Sequence, residues 1–168
     1  MSELVHLIEV EEIPERTAAQ PNSDKHKLKL GIHLAESKHL RKLLGVALYS
    51  ELMLSVQAGS GEDMALAKLA SSEELKNMLC QWALVEAWPS LLVHIAESGV
   101  VVKNGKEVST SADANQANAA LEGHINTATF FSSELTAWMI EHKADYPSYR
   151  PPGVAAYSTM PVGGIDLD

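Results

Sequence analysis

The sequence contains one cysteine in 168 residues, Cys80, and it has no long apolar run. A single thiol can form neither an intramolecular disulfide nor a cysteine-based zinc site, so both are excluded. Cys80 falls within a helical pattern, where we expect a buried structural thiol rather than a nucleophile. No segment approaches the roughly 18 apolar residues that a membrane-spanning helix requires, and we expect no membrane contact.

The start of the chain is short of basic residues. "MSELVHLIEVEEIPE" is acidic where a secretory signal peptide would be basic and then continuously apolar. We therefore expect a soluble protein of the cell interior. A chain of this length buries roughly 70% of its unfolded surface, which is enough for one core.

Short motifs of common active sites are also missing. "GSGEDM", residues 59–64, lacks the third glycine of a dinucleotide loop and the Gly-Lys-Ser/Thr of a phosphate loop, and a turn between helices explains it better. Neither HExxH nor GxSxG occurs. His124 lies on an apolar helix stripe, where a core histidine is expected more than a metal ligand. The sequence thus predicts no catalytic residue, no metal site and no cofactor.

The net charge of −9 argues against a protein that binds a phosphate backbone tightly. This charge is uneven, because residues 1–20 carry five acids and one base, whereas residues 22–44 carry six bases and two acids. The basic residues form either a solvated helix face or a surface that pairs with an acidic arm of a neighbouring copy or partner. Lys25, Lys29 and Arg41 are the candidate contacts in the second case.

Apolar residues at steps of three and four predict a mainly α fold, a bundle of about four helices. The first helix begins at Asn22 or Ser23 and ends near Gly45, and a second, short helix follows. A third begins with a capping box of Ser71 and Glu74 and continues through residue 98, with a kink or restart near Trp88 because Pro89 follows. The last and longest covers about residues 112–143.

Extended segments are expected on both sides of this helical domain of residues 22–145. Residues 1–21 predict an extended arm or edge strand followed by a linker. Residues 146–168 are rich in proline and tyrosine and predict an extended tail. The tail keeps apolar side chains that a disordered segment would lack, so it either docks on a neighbouring subunit or partner, or packs on its own domain or stays mobile. Those side chains are Tyr146, Tyr149, Tyr157, Val162, Ile165 and Leu167.

A β finger is expected at residues 99–109, where "GVVVKNGKEV" interrupts the helices. Asn104 and Gly105 suit a type I′ turn, which would pair Val101 with Val108 in a hairpin. A single strand followed by a loop is the alternative. In both cases Val100, Val101 and Val102 leave an unpaired edge that another copy or the tail could complete.

Four stretches in this order resemble one known family. They are "NSDKHKLKLGIHLAESKHLRKLLGVALYSEL", "WPSLLVHIAESGVVVKNG", "TATFFSSELTAWMIEHKADYPSY" and "GGIDL". Together they span residues 22–168, and they resemble the head-to-tail connector (adaptor or ring) proteins of tailed bacteriophages, above all those of crAss-like phages.

This resemblance implies a non-enzymatic virion protein of the phage neck, assembled in the host cytoplasm. About twelve copies would form a ring, closed by head-to-tail contacts between two different surfaces of each subunit. The portal protein would lie above the ring, and tail or further neck proteins below it. DNA would pass through without sequence-specific binding, because an acidic lumen repels it. Candidate lumen acids are Glu62, Asp63, Glu73 and Glu74. The alternative is a small soluble helical enzyme or regulatory adaptor, acting as a monomer or dimer.

Overall fold

The computed structural model describes residues 5–59, 63–96, 99–102 and 114–152. These residues form a mainly helical domain, which confirms the predicted fold class at this level. The helices are α1 (Glu12–Arg16), α2 (Lys25–Leu34), α3 (Arg41–Leu44), α4 (Val46–Ala58), α5 (Met64–Ser71), α6 (Glu73–Leu92) and α7 (Ala114–Glu141). A π-helical segment (Ala35–Leu40) joins α2 to α3, and a 3₁₀ helix (Lys143–Asp145) follows α7.

Helix α6 is the centre of the domain, because α1, α2, α5 and α7 all pack against it. Its buried face carries apolar side chains, among them Leu75, Met78, Leu79 and Leu84. Cys80 is also fully buried, and this burial raises the pKa of its thiol to about 12. Among the described helices, none combines the length and the apolar character needed to cross a bilayer.

The N-terminal segment folds onto the domain, so the extended arm or edge strand predicted at the start of the chain is wrong for residues 5–16. Leu7, Ile8 and Ile13 enter the core, and residues 12–16 form the short helix α1 despite Pro14. Proline is tolerated there because the first-turn amides of a helix have no intrahelical partner. Residues 1–4 lie outside the described chain.

The long basic helix was predicted nearly at its observed bounds. Its N-cap is Asp24, one or two residues later than expected, and the Asp24 carboxylate accepts bonds from the amides of His26 and Lys27. Gly45 ends α3 with a φ of 81°, a conformation that favours glycine, and α4 starts immediately after it.

The predicted start of α6 is wrong, and of the kink or restart expected near Trp88 the restart does not occur. Ser71 belongs to the end of α5, and the hydroxyl of Ser72 caps α6 by accepting from the Leu75 amide at 3.4 Å. The helix also passes Pro89 without restarting. Proline there removes one bond, to the carbonyl of Val85, near the helix C-terminus, where little helix remains to be disrupted.

The predicted hairpin around Asn104 and Gly105 is not supported. Strand β1 (Val93–Ala96) pairs antiparallel with strand β2 (Gly99–Val102), and this pairing places Val101 opposite His94 rather than Val108. The expected helix beyond Leu92 is therefore replaced by a strand. Asn104 and Gly105 lie outside the described residues.

The first part of the predicted tail packs on its own domain. Tyr146 and Tyr149 are buried in the core, and the Tyr146 hydroxyl donates to the carbonyl of Ala65 at 2.8 Å. Burial raises the pKa of Tyr146 to about 12. These two side chains are therefore unavailable to a neighbour, and the alternative of packing in the same chain holds for them. Tyr157, Val162, Ile165 and Leu167 lie outside the described residues.

Helices α2 and α6 approach closely at Gly31. A Cβ added there would overlap the carbonyl oxygen of Ala83 and lie 3.0 Å from the Cβ of Ala87. Both of the facing residues are themselves small, so the two backbones come together without intervening side chains. Any side chain at residue 31 would push the two helices apart.

We expect Gly31→Ala to lower the free energy of unfolding by about 1–3 kcal/mol, since overpacking a tight contact forces backbone shifts. The matched control is Gly123→Ala in α7, where an added Cβ meets nothing within 4 Å. That control should stabilise by about 0.5–1 kcal/mol, because alanine loses less backbone entropy. Urea unfolding measures both, and equal effects of the two substitutions would contradict the close contact.

Candidate functional site

A groove of about 550 Å³ lies between α3 and α7. Trp82 of α6 lines it, with His39 and Lys42 on one side, and Pro152 also contributes to its lining. Residues of α7 from Thr129 to Ile140 form the opposite side. We call this surface the Trp82 groove.

Trp82 is held in place by contacts with His39 and Ser132. The His39 ring stacks on it, with centroids 3.6 Å apart and planes 10° from parallel. The indole Nε1 donates to the hydroxyl of Ser132 at 2.8 Å, and that hydroxyl in turn donates to the carbonyl of Ala128. The groove is therefore built around an aromatic side chain that is held in one position.

Glu86 holds His39 in this stacked position. Its carboxylate accepts from His39 Nε2 at 2.8 Å and from the Lys38 ammonium at 2.7 Å. Burial acts to raise the pKa of Glu86, but the hydrogen bonds from Lys38 and His39 outweigh it and hold the pKa below its ordinary value. The carboxylate is thus kept ionised next to the groove.

This cluster has the residue types of a catalytic triad without its connections. A serine nucleophile needs a histidine within hydrogen-bond reach. Among the described residues, no hydrogen bond joins Ser132 to His39, because Ser132 is engaged by Trp82 and Ala128. Nor do three potential metal ligands converge anywhere in the described part of the chain. The contacts that are present hold His39 and Trp82 in place at the groove.

A second polar cluster anchors the N-terminal segment to the π-helical segment. Glu36 is only 2% exposed, and its carboxylate accepts from His6 Nδ1 and from the Leu7 amide, both at 2.8 Å. A buried carboxylate is costly unless its oxygens are hydrogen-bonded, and here both oxygens are. The contact explains how residues 6–8 reach the core.

Sequence reasoning missed these anchors, although one signal was present. Glu36 stands four residues after Ile32 and eight after Leu28, so an acid lies on the stripe that faces the core. An acid at such a position indicates a buried partner. The partners of these side chains, His6 for Glu36 and Glu86 for His39, are however distant in sequence and could not be identified without the fold.

Two of the charged residues singled out in the sequence, Lys25 as an interface base and Glu73 as a lumen acid, have ion-pair partners within the chain. Lys25 pairs with Glu11 at 2.7 Å, and Arg16 binds Glu73. Arg41 is exposed on α3. The acidic segment and the basic helix thus do carry complementary charges, but the pair that Lys25 forms lies within one chain.

The remaining predicted site residues are dispersed. Asp63 caps α5 by accepting from the amides of Ala65 and Leu66, and Glu74 is half-buried in the first turn of α6. Val100, Val101 and Val102 lie in β2, remote in sequence from the groove. Glu62 falls outside the described residues.

Comparison with known proteins places the chain in a family. Residues 40–159, more than half of the chain, match the family of unknown function DUF6712, and the chain belongs to that family. The match covers the whole Trp82 groove except His39. No curated protein and no solved structure gives a significant match.

We expect Glu36→Gln to release the N-terminal segment, because His6 and the Leu7 amide bond to different oxygens of the carboxylate and glutamine has an acceptor at only one of these two positions. The free energy of unfolding should fall by about 1–3 kcal/mol, the cost of leaving a buried hydrogen-bonding group without its partner. Amide hydrogen exchange at Leu7 should also accelerate by about tenfold or more, as a 1.4 kcal/mol change implies. The control is Glu15→Gln, an exposed acid of α1. Unchanged protection of Leu7 in Glu36→Gln would contradict the anchor.

The Glu86 cluster predicts a pH-dependent contribution to stability. Because its folded-state pKa is lowered, ionised Glu86 stabilises the fold above the unfolded-state pKa of about 4.3. That contribution is lost as the pH falls through the folded-state pKa. The stability difference between the natural chain and Glu86→Gln should be about 1 kcal/mol at pH 7 and shrink towards pH 3. Glu141→Gln, at the exposed end of α7, serves as the control, and a difference that grows on acidification would contradict the assignment.

Proposed function

We propose that the chain is a structural subunit of the phage neck, which assembles head-to-tail into a ring between portal and tail. The carrying observation is a pair of separate exposed apolar surfaces. One set, which we call the α4 surface, comprises Val46 and Leu54 of α4 with Met64 at the start of α5; the other, which we call the α7 surface, comprises the exposed side chains Ile125 and Phe130 of α7. Leu54 is 66% exposed and Phe130 is 56% exposed.

The two surfaces lie on elements that do not pack extensively on each other. Helix α4 packs on α3 and α5, whereas α7 packs mainly on α6. A ring with head-to-tail contacts requires two different surfaces on each subunit, and these two meet that requirement. Single exposed apolar side chains are common, so the argument depends on their occurrence on two separate sets of helices.

The resemblance over residues 22–168 supplies the biological setting of this proposal. The ring would consist of about twelve copies closed by rotation, with the portal protein and tail or further neck proteins as neighbours. It would be assembled in the host cytoplasm and become part of the virion. An overall charge of −9 supports a channel that DNA crosses without adhering.

We expect Leu54→Ser and Phe130→Ser each to abolish ring formation, since each removes one of the two surfaces. Mixing the two variants should give dimers and nothing larger, because one intact α4 surface meets one intact α7 surface. Mass measured by analytical ultracentrifugation over a range of concentrations, with and without the portal protein, tests this.

The matched control is Leu30→Ser on α2, which replaces a leucine that is 51% exposed but belongs to neither surface. This variant should assemble as the natural chain does. Assembly of both Leu54→Ser and Phe130→Ser into full rings, or a natural chain that stays monomeric in every condition, would contradict the proposal.

A further inference from the structure

We propose that the Trp82 groove binds residues 153–158 of the same chain, "GVAAYS", with Tyr157 as the aromatic anchor. The first reason is position. Pro152, the last described residue, lines the groove, so the following residues start at its edge. A segment attached at the edge of its own site has an effective concentration of about millimolar, which no separate molecule matches without tight binding.

The second reason is length. The α7 side of the groove extends from Thr129 to Ile140, which at 1.5 Å per residue is about 16 Å of helix. Six extended residues cover about 20 Å. Residues 153–158 therefore match the groove along its length. Its volume of about 550 Å³ lies in the range of roughly 300–1,000 Å³ that is typical of sites for small ligands.

The third reason is the chemistry of the α7 side. The hydroxyls of Thr129, Ser133 and Thr136 each donate to a carbonyl one turn earlier in their own helix. A hydroxyl that donates in this way still has lone pairs with which to accept. The groove thus offers acceptors for the amides of an extended segment, beside small side chains that let a backbone approach closely.

The composition of the segment fits this lining. Gly153, Ala155 and Ala156 are small enough to lie against the α7 side, and Tyr157 can pack near the fixed indole of Trp82. A pair of aromatic side chains is more stable than its buried area alone accounts for. Residues 153–168 also contain no basic residue, so they do not repel the positive charge of Lys42 at the groove.

Disulfide trapping in the full-length chain tests the inference. Ala137→Cys places a thiol in the groove, and Ala156→Cys places one in the segment; a disulfide requires their Cα atoms to come within about 7 Å. The natural Cys80 does not compete, because it is buried. The control pair is Ala67→Cys with Ala156→Cys, since Ala67 is exposed on α5 and does not line the groove.

We expect the groove pair to cross-link at least tenfold faster than the control pair, within one chain. Ser133→Cys replaces Ala137→Cys as a second groove position if the first variant loses its helical circular dichroism. Adding Tyr157→Ser should slow trapping several-fold. Equal rates for groove and control pairs would overturn the inference. So would a disulfide that forms only between different chains when the two single-cysteine variants are mixed. The inference does not depend on ring formation, so the two proposals can fail separately.

Discussion

The close contact of α2 with α6 at Gly31 determines much of the domain. Because no side chain separates the helices there, the π-helical segment that follows α2 is held near α6. His39 can then stack on Trp82 and bond to Glu86, and Glu36 faces the N-terminal segment. The groove and the N-terminal anchor are thus consequences of one tight helix pair. A π-helical turn is often found at functional sites, and here it positions both polar clusters.

The charged side chains of the N-terminal segment form ion pairs within the chain. The acids of the N-terminal segment bind bases elsewhere in the same chain, as Glu11 does with Lys25 and Glu12 with Lys76. Exposed pairs of this kind contribute little to stability, typically about 0–1 kcal/mol each. Their effect is to orient the segment once its apolar residues are buried. The proposed contacts between subunits therefore use exposed apolar side chains of α4 and α7.

Helices were predictable from the sequence where the apolar period was long, as in α2, α4 and α7, and Gly45 was a reliable stop. Pro89 misled the prediction, because proline near the end of a helix costs only one internal bond. The register of β2 was missed because its partner strand had been assigned to a helix. Of the candidate site, only the stripe position of Glu36 could have been found. His39, Glu86 and Ser132 converge through the packing of three helices, which local spacing does not encode.

The proposed function requires that subunits assemble head-to-tail into a ring. The most direct measurement is negative-stain electron microscopy of the purified protein, alone and with the portal protein that the proposal names as its neighbour. We predict closed rings with a central channel, either free or bound to the portal. Particles of the size of a single subunit under both conditions, also when the protein is concentrated before it is applied to the grid, would contradict it.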